Sequence, residues 1–378
     1  MKRIAQIGLM LIVLISFSSC KKTDNILFYN DSYIKEIKQV RKDFQFYMVR
    51  NNIPGASVSV IKDGKLIYSE GFGYASKDLD VPVNRFTKFR IGALTEVFTS
   101  LAYQRLIEDG VFQPDSSIQH YYPDFPNKYY TIKLFNLVNH TSGIRQPYYD
   151  EKTERGINKT LTQGLQMFIK EPLESPPDAA ENISMFNYNL LGAVMEKTTG
   201  KSFNSIIQNL VIDTLHLENT TFDNLYQPIK NRSNFFEYNM VSQVTNGISC
   251  DLRFRAPSQG LLSTSEDLVK LGNALLDSEY VTEKMRKRLF TAKMLDSDYP
   301  SQISNGWFIA KDTDGLPLYI RIGSVMGGGA GLVIYPEQKL VVAAAINITS
   351  KSENIPVFEI AGYFLPQPKE NTQKDTKD

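Results

Sequence analysis

Cysteine is nearly absent: Cys20 and Cys250 are the only two in 378 residues. Two cysteines supply no multi-bridge disulfide framework and no C-x-x-C metal site, so stability has to come from a packed core. Histidine is as scarce. His120, His140 and His216 stand far apart and fit no H-E-x-x-H spacing, so no metal and no cofactor is expected. Excess charge of either sign is also missing, since 42 Lys and Arg against 41 Asp and Glu leave a formal net charge of +1. Dedicated polyanion binders carry a marked basic excess, so no nucleic-acid partner is expected. No repeat at solenoid or propeller spacing is present. The longest apolar run, "IAQIGLMLIVLIS" near the start, falls short of the roughly 20 residues of a spanning helix.

What is present begins with that run. A basic "MKR" precedes it and "FSSC" closes it at Cys20. The stretch resembles a bacterial lipoprotein signal, with Phe17 where such motifs usually have leucine. The resemblance implies cleavage before Cys20, lipidation of that residue, and a chain anchored to a membrane of the bacterial cell envelope, periplasmic or surface-facing. Residues 1–20 then form the signal, 21–33 a polar tether, 34–365 one large domain and 366–378 a polar tail expected to be disordered.

Within the domain the periodicity changes twice. Ile34, Ile37, Val40, Phe44 and Met48 recur at helical spacing. "ASVSVI" and "KLIYSEGFG" then read as strands joined by a turn at Asp63-Gly64, a strong hairpin signal. From about 91 to 299 the pattern is mostly helical. Gly110 and Gly200 stop two helices, and Thr264 with Asp267 opens a third at capping-box spacing. From 300 to 350 strands return in "NGWFIAK", "LPLYIRIG", "AGLVIYP" and "KLVVAAAIN", and a short helix follows around "IPVFEIAGYF". An α+β fold is expected, with one antiparallel sheet built from residues 54–90 and 300–350 and a helical lobe, 91–299, inserted between them.

Four stretches in this order resemble the serine β-lactamase and penicillin-binding-protein-like family, especially its class C-like branch: "IPGASVSVIKDGKLIYSEGFGYAS", "TIKLFNLVNHTSGIRQ", "APSQGLLSTSEDLVKLGNALL" and "GLVIYPEQKLVVAAAIN". "HTSGIR" and "IKNRSNFFEYN" are similar to the mitochondrial β-lactamase-like branch. The resemblance implies a sheet flanked by helices, a helical lobe and a site in the cleft between them. It also implies three motifs. In S-x-x-K a lysine one helical turn away activates the serine. In Y-x-N the phenol moves protons and the amide orients substrate. In K-T-G or H-x-G a cation or polar group and a glycine lie on the edge strand.

Here those side chains have changed. "FRIG" places S-x-x-K on Ala93 and Glu96. "SPP" and "YNLLG" bracket Y-x-N and place it on Ile183, Ser184 and Met185. The third motif falls on Arg321-Ile322-Gly323 and keeps the cation and the glycine. Alanine has no nucleophile, and isoleucine and methionine neither carry a proton nor donate an amide hydrogen bond. The sequence therefore reads as a pseudoenzyme, with no confident catalytic residue. Thr95 points away from position 93 on a 3.6-residue helix, and His140 reads as a loop-ordering residue. Glu96 is either a carboxylate base on a water or an ion-pair partner of Arg321 or Arg90. Arg321 either holds a ligand carboxylate or pairs with Glu96. Main-chain N–H groups at Ala93 and Ser324 match the family's oxyanion donors.

The ligand-binding candidates are Glu96, Ser184, Arg321, Gly323 and Ser324. Tyr148, Tyr149, Phe235 and Phe236 read as loop or core packing. Three functions follow. The first is a non-catalytic envelope protein that binds a peptide, a peptidoglycan fragment or a protein. The second is a residual or repurposed esterase, peptidase or β-lactamase-like hydrolase using Glu96 or another group. The third is a relic whose cleft is closed by Ile183 and Met185 packing on Ala93.

Overall fold

The computed structural model describes residues 26–157, 159–248, 250–349 and 355–366. The expected signal, Cys20 and the tail from 367 onward lie outside the described residues.

The fold follows from where apolar strands can pair. The strands are β1 Leu27–Tyr29, β2 Gly55–Lys62, β3 Lys65–Ser76, β4 Val81–Pro82, β5 Phe89–Arg90, β6 Thr221–Phe222, β7 Phe236–Tyr238, β8 Val244–Asn246, β9 Leu261–Ser263, β10 Ile303–Ser304, β11 Trp307–Lys311, β12 Pro317–Val325, β13 Gly328–Tyr335 and β14 Leu340–Ile346. The main antiparallel sheet runs β1-β3-β2-β14-β13-β12-β11-β10, with β4 on β3. Its centre joins the two chain ends, β2 to β14, with Ala56 opposite Ile346 and Lys62 opposite Leu340. The hairpin between β2 and β3 turns at Asp63 and Gly64, whose φ values of 51° and 76° suit a two-residue turn.

β14, "LVVAAAI", is buried along its whole length because both sheet faces are covered. On one face helix Ile34–Arg50 lays down Ile37, Val40, Phe44 and Met48, joined by helix Val357–Gly362. On the other face helix Ser265–Ala274 and the helical lobe bury Val97, Leu101, Leu190 and Leu268. Thr264 caps helix Ser265–Ala274, its hydroxyl accepting from the Asp267 N–H at 3.1 Å. Gly200, at φ 67°, ends helix Met185–Thr199.

Two details differ from the sequence reading. The segment 21–33 was expected to be a tether, yet Leu27–Tyr29 pairs with β3, Leu27 opposite Glu70 and Tyr29 opposite Tyr68. The exposed edge of β3 offers unpaired backbone groups, and three residues suffice to cover them, too few to give a periodic signal. The lobe also carries strands, since β5, β9 and β6 form a small sheet at its base.

That small sheet delivers the chain from Arg90 into a single turn, Gly92–Leu94, at the start of helix Thr95–Glu108. There the lobe touches the main sheet backbone to backbone. Gly92 sits at φ 54°, and a Cβ on Gly323 of β12 would lie 2.6 Å from the Ala93 nitrogen, with the Ile91 carbonyl and the Leu94 nitrogen closer still. Only glycine at 323 allows this approach. Gly323→Ala is expected to destabilise the fold by about 3 kcal/mol, the scale of overpacking against groups that cannot yield. Urea denaturation checks it, and an unchanged midpoint would refute the constraint.

Candidate functional site

The turn Gly92–Leu94 places Ala93 at the mouth of the space between lobe and sheet. Helix Thr95–Glu108 is buried nearly all round, as suits an element at the centre of the lobe. Thr95 faces away from Ala93, its hydroxyl accepting from the Leu261 N–H at 3.3 Å. Arg90 is not a partner of Glu96. It is fully buried and committed to Asp223, with Nε to Oδ2 at 2.7 Å.

Glu96 lies one turn along the helix and forms a hydrogen-bonded ion pair with Arg321 of β12. Both side chains are only 2 % exposed, so each charge depends on the other for compensation. Arg321 also donates from Nε to the Ala93 carbonyl at 3.3 Å. The pair thus joins the lobe to the sheet beside the Gly323 contact.

Behind the carboxylate stands His140, buried and at φ 55°. Its Nδ1 accepts from the Ser184 N–H at 3.3 Å and from Asn187 Nδ2 at 3.2 Å. Two donors at Nδ1 put the neutral ring's proton on Nε2. Nε2 faces Glu96 Oε2 at 3.4 Å, without the alignment of a hydrogen bond. The same residue orders its loop, its carbonyl accepting from the Asn182 N–H at 2.8 Å. Tyr188 is also buried nearby. Its hydroxyl donates to the Val138 carbonyl at 3.0 Å and meets the Ser100 hydroxyl at 2.8 Å. Burial pushes the Tyr188 phenol up, and the Glu96 carboxylate adds to that. Such a phenol stays neutral near pH 7.

The three residues at the second motif point to different surroundings. Ile183 is 39 % exposed and lines the cleft. Met185 is buried but also lines it. Ser184 does not, which corrects its expected role in ligand binding. Its hydroxyl donates to the Arg145 carbonyl at 2.6 Å and accepts from the Phe186 N–H at 3.3 Å, so it caps helix Met185–Thr199. Ser favours that position for the same reason it favours other helix starts. Gly323 is likewise a packing residue, its surface taken up by the turn at Ala93.

The cleft itself is open, with a volume of about 660 Å³. Ala93, Glu96, Arg321 and Ser324 lie on its walls, which overturns the closed relic: Ile183 and Met185 do not seal Ala93 away. The site holds a carboxylate–guanidinium pair between walls of mixed apolar and polar side chains, and no described side chain there forms a nucleophile–base pair. Tyr149, expected to pack in its loop, is 82 % exposed and lines the cleft. Tyr148 lies over the Arg145 guanidinium at 4.0 Å, and Phe235 over that of Arg90 at 3.7 Å. Phe236 is buried in β7.

Sequence reasoning missed Lys152, Arg255 and Gln259 on the lobe wall. The one signal for Arg255 and Gln259 was position, because "RFRAPSQG" overlaps a stretch already matched to the family, and Lys152 had none. Arg145 holds this wall together. It pairs with Glu151, NH1 to Oε2 at 2.6 Å, and with Glu171, and its hydrogen bond holds the Glu151 carboxyl below the usual carboxylate range.

A family model described as Beta-lactamase matches residues 37–357. Among curated proteins, Protein flp of Staphylococcus aureus (strain N315) is 24 % identical over 328 residues, covering 85 % of this chain and 64 % of that protein. The human Serine beta-lactamase-like protein LACTB, mitochondrial, is 27 % identical over 298 residues, covering 59 % of this chain and 53 % of that protein. The chain thus spans less than two thirds of the length of these relatives. A solved structure of a class C beta-lactamase superposes with a TM-score of 0.75 at 18 % identity, covering 90 % of this chain and all of that one. That likeness shows the fold.

The buried pair sets the expected behaviour of its variants. Glu96→Leu and Arg321→Met should each destabilise the protein by about 3–5 kcal/mol, since each leaves an uncompensated buried charge. The double variant should fall within about 1 kcal/mol of the parent. Chemical denaturation of the four proteins closes the cycle, and simple additivity would refute the coupling.

Proposed function

This chain belongs to the β-lactamase family, and we propose that it is a lipid-anchored binding protein of the cell envelope in which serine acylation has been lost. One observation carries the reading: where an activated serine would need a nearby lysine amine as its base, the chain places Ala93 and a carboxylate, Glu96, already bound to Arg321. A carboxylate beside position 93 would oppose an alkoxide rather than favour one. The open cleft supports retention of ligand binding without that chemistry. Its occupants on this reading are a peptide, a peptidoglycan fragment or a segment of a protein partner.

Hydrolysis by water activated at Glu96 is the competing function. A general base has to reach both water and substrate. The Glu96 side chain is 2 % exposed and held by Arg321, and its neighbour Tyr188 is a neutral phenol. These features favour the binding protein.

Incubation with a fluorescent penicillin and with a fluorophosphonate, followed by intact mass spectrometry, tests the loss of acylation. No adduct is expected for the parent or for Ala93→Ser, because the serine returns without its lysine. Chromogenic esters should turn over no faster than with heat-killed protein. A stoichiometric adduct, or turnover lost in Glu96→Gln, would overturn the proposal. The anchor is tested separately by expressing the full chain in a bacterial host. Cys20→Ala should move it from the membrane fraction to the soluble fraction and abolish labelling by an alkyne fatty acid. Equal labelling of the two proteins would refute lipidation at Cys20.

A further inference from the structure

Among the described residues four arginines are buried, and three have carboxylate partners: Arg90 with Asp223, Arg145 with Glu151 and Glu171, and Arg321 with Glu96. The fourth, Arg255, is 1 % exposed and forms no ion pair among the described residues. Its hydrogen bonds go to neutral acceptors. NH2 donates to the Glu154 carbonyl at 2.6 Å, and NH1 to the Lys152 carbonyl at 3.1 Å and to Gln259 Oε1 at 3.4 Å. NH1 also lies 3.9 Å from the Met185 sulfur, and Nε has no hydrogen-bond partner among the described residues. Burial drives the Arg255 pKa down to about 10, Arg90 pushes in the same direction, and Cys250 and the Glu154 carboxylate offset this only in part.

A buried cation without an anion is costly, and proteins usually supply the anion. Here the cation borders open space. Arg255, Met185, Gln259 and Lys152 all line the cleft, so NH1 lies between two cleft-wall side chains. The Gln259 contact is long and neutral, hence readily exchanged for a charged acceptor. Across the cleft, Arg321 is already neutralised by Glu96. Ile183, Phe308, Ile322, Val325 and Met326 give the intervening walls an apolar character.

We propose that Arg255 is the anchor of an anion subsite in the lobe wall, which takes the carboxylate of a ligand whose apolar body lies along the cleft. The carboxylate accepts from the Arg255 guanidinium in place of the Gln259 amide oxygen, with the Lys152 ammonium reinforcing the charge. The inference rests on the cleft being a ligand site, and it names the chemistry that the site selects. Such a carboxylate belongs either to a free fatty acid or to the C-terminus of a peptide with apolar side chains, and the two sources separate experimentally.

The test uses the full chain in detergent and two matched pairs of probes, decanoate with decanamide and acetyl-Leu-Leu with its C-terminal amide, titrated by calorimetry. At least one acid should bind about tenfold or more tightly than its amide, the scale of one charge-assisted hydrogen bond. The pair that shows the preference identifies the source. Arg255→Met should remove the preference of acid over amide, and Arg255→Lys should keep part of it. Should Arg255→Met fail to fold, Lys152→Met gives the second reading, with an expected loss of about threefold for the acid alone. Equal binding of acid and amide in both pairs, no binding of either acid, or an undiminished acid preference in Arg255→Met would each overturn the subsite. These failures are distinct from an acyl adduct, which would overturn the loss of chemistry and leave the subsite standing.

Discussion

The cleft depends on one close approach, the backbone of β12 at Gly323 against the turn that begins helix Thr95–Glu108. Neither side can move without the other, because Gly92 and Gly323 leave no side chain to absorb a shift. Arg321 and Glu96 then fasten the same junction by charge, two residues before the glycine on one side and three after Ala93 on the other. Everything that lines the sheet wall, Ser324 and Val325 included, takes its position from this junction. The lobe wall is fixed independently, by Arg145 joining Glu151, Glu171 and the Ser184 hydroxyl. Two walls with separate supports hold the cleft open with the apolar Ile183 and Met185 on its lining.

Glutamate at position 96 has a structural logic of its own. A lysine there would face Arg321, and two buried cations would need an outside anion. Glutamate makes the pair self-sufficient. His140 completes the arrangement with a neutral ring whose Nε2–H faces the carboxylate, a favourable dipole that adds no net charge. The site is thus electrically balanced at the place where the resemblance would locate reaction chemistry.

Much of this was legible in the sequence where the signal was local. Alternating and continuous apolar runs marked β2, β3 and β11 to β14. Asp63-Gly64 marked their hairpin, and Thr264 with Asp267 marked a helix start. The motif positions could be placed because flanking stretches carried the register. What was hidden is long-range or too short. β1 is three residues long and exists because the edge of β3 was available. Ser184 looked like a ligand residue from its place in the motif, and only the fold shows its hydroxyl turned to the Arg145 carbonyl. His140 meets Glu96 from 44 positions further along the chain, and no period records such a contact.

Arg255 was hidden for a different reason. Nothing in "LRFRAP" separates it from Arg253, which is partly exposed and pairs with Asp251 through NH2 at 2.6 Å. The difference is what each guanidinium meets after folding. Arg253 finds a carboxylate two residues away, whereas Arg255 turns inward to carbonyls of the 152–154 segment and to the cleft wall. In a fold where the other buried arginines are matched, the unmatched one lies opposite the balanced pair. The charge asymmetry of the cleft therefore resides in the lobe, away from the sheet edge, and a ligand that reads charge would be oriented by that wall.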